Sequence, residues 1–171
     1  EMNIQELERQ FVEMVTNHQQ TIYKVCYMYA TDDYTLDELY QETIINLWKG
    51  YAHFREESKV STWIYRIAMN TCISYFRKSA SRPQTIPISF DLEKTMSSDK
   101  IENYYLQELY HMISKLGKME RALILLWLDE RSYQEIAQIL GISLSNVGVQ
   151  LNRVKEKLKK NDFTKTGYTF A

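Results

Sequence analysis

Apolar residues recur at steps of three and four along most of the chain, a pattern typical of helices that bury one face. The clearest case runs from Val60 to Lys78, enough for about five turns. Its predicted buried stripe comprises Val60, Trp63, Ile64, Ile67, Ala68, Thr71, Cys72, Tyr75 and Phe76. Its predicted outer face comprises Thr62, Tyr65, Arg66, Met69, Asn70, Ile73, Arg77 and Lys78. That face has no acid, and it mixes groups that stack on bases, neutralise phosphate or hydrogen-bond base edges. An ordinary amphipathic helix with a few exposed apolar residues is the alternative.

The same periodicity predicts the helices that come before this one. The first is one long helix, or two with a break near Asn17, and His18 on its stripe is expected to be a packed core residue rather than a ligand. The next helix is expected from about Tyr34 to Tyr51, after a turn and helix-start signal at residues 31–33. Its predicted buried stripe is Leu36, Leu39, Tyr40, Thr43, Ile44, Leu47, Trp48 and Tyr51, and its outer face is Asp37, Glu38, Gln41, Glu42, Ile45, Asn46 and Lys49. An apolar Ile45 ringed by acids and an amide resembles a docking patch with a polar rim, although a simply solvated acidic face is also open.

Residues 80–99 interrupt the helical periodicity with Pro83, Pro87 and several serines, which predicts a flexible linker. Beyond them the pattern predicts four short helices, the third opened by a capping box at residues 132–135. We therefore predict an all-α protein with two small helical domains, residues 1–79 and 100–162, and a tail at residues 163–171. Ser58 or Ser61 is expected to cap the helix that begins at Val60. The third helix of the second domain should bury Tyr133, Ile136, Ala137 and Leu140, and the fourth should bury Val147, Leu151, Val154 and Leu158.

Charge is segregated along the chain although the formal net charge is only −1. Residues 31–49 hold five acids and one base, whereas residues 54–82 hold six bases and two acids, and residues 133–160 hold five bases and two acids. Because the long-range field largely cancels, such a chain should bind DNA weakly by itself. Cys26 and Cys72 lie on apolar stripes and are predicted to be buried free thiols, with no metal or other cofactor. No signal-peptide pattern is visible, so a cytoplasmic protein is expected.

The second domain contains the spacing of a helix-turn-helix. Ala137, Gly141 and Val147 provide a small residue for close helix crossing, a glycine for a positive-φ turn and a branched apolar residue that locks the second helix. The second helix would then present its outer face to the major groove of DNA. That face comprises Ser145, Asn146, Val149, Gln150 and Arg153, with Lys155, Lys157, Lys159 and Lys160 behind it as phosphate contacts. A helical hairpin with no role in DNA binding is the alternative.

Taken together, the two halves resemble a known family. YQETIINLWKGYAHF followed by VSTWIYRIAMNTCISYFRK is similar to region two of extracytoplasmic-function (ECF) sigma factors of bacterial RNA polymerase, and RSYQEIAQILGISLSNVGVQLNRVKEKLKK is similar to their region four. The order, the spacing and the linker agree as well. The resemblance implies a non-enzymatic polymerase subunit that recognises and melts promoters, with core RNA polymerase, promoter DNA and an anti-sigma factor as partners and no insertion into a membrane.

The resemblance also implies roles for individual residues. Contacts with core polymerase would come from Asp37, Glu38, Gln41, Glu42, Ile45 and Asn46. The loop from Phe54 to Ser61, with Asn70, would capture a base flipped from the minus-ten element, whose lost stacking such a pocket replaces. The full set of minus-ten residues would be Phe54, Lys59, Ser61, Thr62, Trp63, Tyr65, Arg66, Asn70, Arg77 and Lys78. Contacts with the minus-thirty-five element would come from Ser143, Ser145, Asn146, Val149, Gln150, Arg153 and Lys157.

The chain also departs from the family pattern. Gly148 stands where family members often have a basic residue, and Val149 and Gln150 replace a small polar and a basic residue, so the promoter sequence cannot be carried over from relatives. A stand-alone helix-turn-helix regulator with a sensory first domain is the main alternative function. An enzyme is a third, and the three scattered histidines form no acid–base constellation or metal-binding spacing in the sequence.

Overall fold

The computed structural model describes residues 3–79 and 100–160, and every regular element in these ranges is a helix. The helices form two compact units, on either side of residues 80–99, so the predicted all-α class with two helical units is confirmed. The predicted linker and the tail at 163–171 lie outside the described residues. The first unit comprises α1 (Ile4–Asn17), α2 (Gln19–Tyr29), α3 (Leu36–Tyr51) and α4 (Val60–Lys78). The second comprises α5 (Lys100–Ser114), α6 (Lys118–Leu128), α7 (Tyr133–Leu140) and α8 (Leu144–Lys160).

The break between α1 and α2 falls at His18, next to the predicted position. His18 leaves the helical region with φ −117° and ψ 16°, and its backbone N–H still bonds to carbonyls of the last turn of α1. Its Nδ1 lies 2.9 Å from the carbonyl oxygen of Met14. The ring is held by its own helix, but it is half-buried and not in the core as predicted.

Helix α3 begins at a capping box that the sequence analysis overlooked. The hydroxyl of Thr35 accepts a hydrogen bond from the backbone N–H of Glu38, and the Glu38 carboxylate accepts one from the backbone N–H of Thr35 at 2.8 Å. Each side chain thus satisfies a backbone donor that the first turn of a helix leaves without a partner. Residues 31–33 form the turn that precedes this cap rather than the cap itself.

Helix α4 is the central element of the first unit, because it packs against both α2 and α3. A helix held between two neighbours buries a wide arc of its surface instead of a single stripe. For this reason the predicted outer face is wrong at four positions: Thr62, Tyr65, Met69 and Ile73 are all buried. The predicted helix bounds agree with the structure.

The core of the first unit contains both cysteines as free, fully buried thiols, as predicted. The Sγ atoms of Cys26 and Cys72 lie 3.8 Å apart, and the hydroxyl oxygen of Thr43 lies 3.7 Å from the Sγ atom of Cys26. The hydrogen bond with Cys26, and then burial, raise the pKa of the Cys72 thiol. These contacts join α2, α3 and α4 at one point in the core.

Helix α6 buries residues on almost every side, from Arg121 to Leu126. Arg121 is the one charged residue among them, and it is only 1% exposed. It donates hydrogen bonds to the carbonyl oxygens of Leu116, at 2.9 Å, and Ser114. Arg121 therefore satisfies carbonyl groups at the end of α5 that have no helical partner.

Candidate protein and nucleic-acid interfaces

The outer face of α3 is exposed in the structure as the sequence pattern predicted. Asp37, Glu38, Gln41 and Ile45 are exposed, whereas Glu42 and Asn46 are half-buried. The side chain of Ile45 is 44% exposed among polar neighbours. An apolar centre with a polar rim is the composition of a protein-binding surface.

Three of the six residues predicted for this face also stabilise the fold. Glu38 closes the capping box described above. The amide of Asn46 donates to the hydroxyl of Thr71 on α4 at 2.9 Å. Glu42 is hydrogen-bonded to the Tyr75 hydroxyl, which raises the pKa of that phenol. Substitutions at these three positions will therefore change stability as well as any binding.

Trp48 belongs to the same exposed surface, although the sequence analysis assigned it to the buried stripe of α3. Its side chain is 38% exposed, and its ring packs against the edge of Phe11, with the ring centroids 5.0 Å apart. Trp48 follows Ile45 by three residues, so the two side chains are neighbours on the helix surface. The apolar centre of the face is therefore larger than the sequence indicated.

Helix α4 presents a basic stripe. Arg66, Asn70 and Arg77 are exposed and are spaced so that they fall along one side of the helix. Lys59, at the position before the helix, and Lys78, in its last turn, are exposed as well. The Nζ of Lys78 lies 5.2 Å from the centroid of the Tyr75 ring. Two guanidinium groups and an amide in this register suit a strand of nucleic acid with accessible bases.

Two residues predicted to contact the minus-ten strand do not reach the surface. Tyr65 is fully buried and Thr62 is 4% exposed, because the side of α4 that carries them is covered by its neighbouring helices. The prediction is therefore wrong for these two side chains, which belong to the core.

Phe54 and Trp63 form an aromatic surface where the loop from α3 meets the start of α4. Both are half-buried, and their rings stack with centroids 4.6 Å apart and planes at 27°. Trp63 also contacts Tyr51, at 6.4 Å between centroids. The loop between α3 and α4 thus holds its phenylalanine flat against the first turns of α4.

The start of α4 differs from the prediction. Lys59 occupies the position before the first helical residue, and no side chain caps it, so neither Ser58 nor Ser61 serves as the predicted cap. Ser61 is half-buried in the first turn. In the preceding loop Glu56 has φ 56°, a left-handed conformation that costs a non-glycine residue about 1 kcal/mol. Strain of this kind is common in loops that bind ligands.

The second unit contains the predicted helix-turn-helix. Gly141 has φ 68° and ψ 34°, and its N–H and that of Ile142 both bond to the carbonyl oxygen of Ala137. Val147 is fully buried under the turn. Ser132 caps α7 by accepting from the N–H of Glu135.

Helix α8 exposes most of the residues predicted to read DNA. Ser145, Asn146, Val149 and Arg153 are exposed, and Gln150 is half-buried. Ser143 has a local task, because its hydroxyl accepts from the backbone N–H of Asn146 at 3.2 Å and so caps the helix. A capped helix with amide, guanidinium and apolar side chains at its amino-terminal end fits the major groove.

Two of the lysines behind this face, Lys155 and Lys157, have partners on α6. Lys155 was predicted as a phosphate contact, but its side chain is buried, and its Nζ lies 4.1 Å from the centroid of the Trp127 ring. That burial lowers the pKa of Lys155. The Nζ of Lys157 lies 2.9 and 3.0 Å from the two carboxylate oxygens of Glu120. The prediction for Lys155 is therefore wrong, and the ammonium group of Lys157 is paired with Glu120 in the structure.

Gly148 lies beneath an aromatic ring. A Cβ atom added there would be 3.7 Å from Cε2 of Tyr133, which is an ordinary contact. Tyr133 is 39% exposed rather than buried as predicted. The ring of Tyr133 therefore covers the position where family members often have a basic side chain.

No group of three or more histidine, cysteine or acidic side chains within residues 3–79 and 100–160 is arranged to hold a metal ion. Among the helices in those ranges, none is long and apolar enough to cross a membrane.

Comparison with known proteins shows the family of the chain. The family model for sigma-70 region 2 matches residues 14–82, and that for sigma-70 region 4 matches residues 106–158. The RNA polymerase sigma factor YlaC of Bacillus subtilis is 31% identical over 93% of this chain and 91% of its own length. The chain belongs to the ECF group of the sigma-70 family. The ECF sigma factor SigW of the same species is 27% identical over 88% of this chain and 87% of its own length.

The function of this ECF sigma factor is therefore that of an RNA polymerase sigma factor in transcription initiation, and a stand-alone regulator is not favoured. Solved structures of low identity share the fold. CnrH, solved in complex with the cytosolic domain of CnrY, has a TM-score of 0.64 at 19% identity, over 90% of this chain and 87% of its own. The sigma factor RpoE of Bartonella quintana, solved with the anti-sigma factor NepR, has a TM-score of 0.68 at 17% identity, over 89% of this chain and 96% of its own.

Proposed function

We propose that this sigma factor binds core RNA polymerase through the exposed face of α3. The binding surface consists of Asp37, Gln41, Ile45 and Trp48. The proposal is supported by the exposure of two large apolar side chains beside acidic and amide groups. The apolar centre supplies binding energy when it is desolvated, and the charged rim supplies orientation and rate. A basic surface on the polymerase is the matching partner.

The basic stripe of α4 and the adjoining loop bind the melted minus-ten strand in this proposal. Arg66, Arg77 and Lys78 neutralise phosphates, and Asn70 hydrogen-bonds the edge of a base. Phe54, on its Trp63 support, offers a ring on which an unpaired base regains the stacking lost on melting. The observation that carries the proposal is the presence of this basic, aromatic surface and of the acidic α3 face on a single helical unit.

Helix α8 reads the minus-thirty-five element as duplex DNA. Asn146, Gln150 and Arg153 have side chains that pair with base edges, and Val149 offers an apolar contact for a thymine methyl group. Gly148 brings no positive charge, so base preference depends more on these four side chains than on basic residues.

The domain assignment follows from these roles. Residues 1–79 serve as region two, residues 80–99 as linker, residues 100–162 as region four and residues 163–171 as tail. The protein acts without catalysing a reaction and without a cofactor, and it works in the cytoplasm, because transcription takes place on the chromosome. Two structural relatives were solved with the regulators CnrY and NepR, which supports an anti-sigma partner for this chain as well.

Co-purification with core polymerase tests the docking face. Replacing Asp37 and Gln41 together by arginine should prevent co-purification, since two cations then meet a basic partner, while the thermal midpoint changes little because both side chains are exposed. Glu38 is left intact in this variant, because its loss would open the cap of α3. Recovery of the double variant with core in wild-type amount would refute the proposed face.

Permanganate footprinting of the promoter tests the melted-strand surface. Asn70→Ala should reduce the reactivity of unpaired thymines, and thus open-complex formation, while leaving polymerase binding unchanged. Asn17→Ala, the same change at an exposed position at the end of α1 and outside the basic stripe, is the matched control. Equal footprints for both variants would remove Asn70 from the proposed site.

A further inference from the structure

Gly50 lies in the last turn of α3, where it faces α4. A Cβ atom at this position would lie 3.2 Å from Cζ2 of Trp63 and 3.6 Å from Cδ1 of Ile67. The first distance is shorter than most carbon contacts in folded proteins, so any side chain would push the indole away. Glycine costs a helix about 1 kcal/mol relative to alanine. The close approach of the indole gives a reason for that cost.

The indole of Trp63, which packs against Gly50, also stacks on the ring of Phe54. The two rings are stacked with centroids 4.6 Å apart, and Tyr51 contacts the same indole at 6.4 Å. Displacing Trp63 would therefore tilt or release Phe54. The loop contains a left-handed Glu56, so its conformation is strained and depends on such support.

We propose that Gly50 is a positioning residue for the captured base. By leaving room for Trp63 against α3, it sets the plane of Phe54, on which an unpaired nucleobase of the melted strand stacks. This inference rests on the proposed role of the loop in base capture, and it adds a residue that touches no DNA. Only a small residue at position 50 keeps the two rings stacked.

The test uses holoenzyme and a fork-junction DNA built on a promoter selected by in vitro transcription. Each unpaired minus-ten position is replaced in turn by an abasic site, and the Kd is measured. For the wild-type chain, removal of the captured base should weaken binding about tenfold, the loss expected from one stacked base. Gly50→Leu should weaken binding to intact DNA by a similar factor and be insensitive to the abasic site. Gly50→Ala should give a smaller loss, because the indole has to shift by only a few tenths of an ångström.

The variants are interpreted with two controls. Gly117→Ala is a glycine change without crowding, since its Cβ would meet Oε1 of Glu120 at 3.9 Å, an ordinary contact, and it should behave as wild type. Trp63→Phe removes the Cζ2 atom that meets residue 50, so in the Gly50→Leu background it should restore part of the sensitivity to the abasic site. A merely destabilising effect of residue 50 would give neither the insensitivity nor the rescue.

Each outcome decides between the two proposals. If no abasic position weakens wild-type binding, base capture fails and the role of Gly50 fails with it. Suppose instead that the abasic site weakens binding of the wild-type chain and weakens binding of Gly50→Leu by the same factor. Base capture then stands, and the inference about Gly50 is refuted. If Gly50→Leu does not assemble with core polymerase, the Gly50→Ala and Gly117→Ala pair decides: equal sensitivity to the abasic site refutes the inference.

Discussion

Truncation of Ile45 isolates the binding energy of the α3 face from the stability of the fold. The side chain is 44% exposed, and full burial of an isoleucine gives about 1.5–3 kcal/mol. Burying the exposed part against polymerase therefore contributes about 0.7–1.3 kcal/mol, or about three- to tenfold in Kd. Ile45→Ala should lose that affinity. Its stability should change by less than about 0.5 kcal/mol, as is usual at exposed positions.

Competition with a fluorescently labelled wild-type chain for core polymerase measures this loss directly. Val12→Ala on α1 is the matched control, because Val12 is 61% exposed but lies outside the proposed face, so its truncation should leave the Kd unchanged. Thermal melts of both variants should coincide with that of the wild-type chain. A Kd for Ile45→Ala within a factor of two of the wild-type value, or an equal loss for Val12→Ala, would refute the placement of the docking surface.

Three further changes test local features. Thr35→Ala should lower the free energy of unfolding by about 1 kcal/mol through loss of the α3 cap, measured by urea titration, and an unchanged midpoint would contradict the capping role. Gly148→Ala should raise that free energy by up to about 1 kcal/mol, because its methyl group makes only an ordinary contact with Tyr133; a lower midpoint would show that the site is tighter. Glu120→Gln should free Lys157 for a phosphate. The association constant K of holoenzyme for minus-thirty-five duplex should then fall more steeply with salt, with the slope of log K against log salt changing by about one. Lys157→Gln in the same background should cancel the change, and an unaltered slope for Glu120→Gln would show that Lys157 does not reach DNA.

Helix positions were predictable from the sequence because periodicity depends on local spacing. The bounds of α4 and the break near His18 agree with the apolar pattern, and the helix-turn-helix turn follows from the need for glycine at Gly141. Burial on a second side was not predictable. Tyr65 lies on a side of α4 that looks external as long as the helix is assumed to have one buried stripe.

The candidate sites divide in the same way. Exposure of Ile45 and Arg66 was predicted from their positions among polar residues, whereas Trp48 was missed because an indole on an apolar stripe looks like core until the packing of α1 is known. The partner of Lys155 could not be found either, since Trp127 is on another helix and meets it only in the folded unit. The cap formed by Thr35 and Glu38 was visible in the sequence as a threonine followed three residues later by a glutamate.

The most direct test of the account is run-off transcription with core polymerase and purified protein on a library of promoter fragments. A specific set of start sites that appears only when the protein is added, together with weak binding of the protein alone to the same duplexes, is the predicted result. Tight, sequence-specific binding without polymerase and no specific transcripts in its presence would contradict the assignment of its two surfaces.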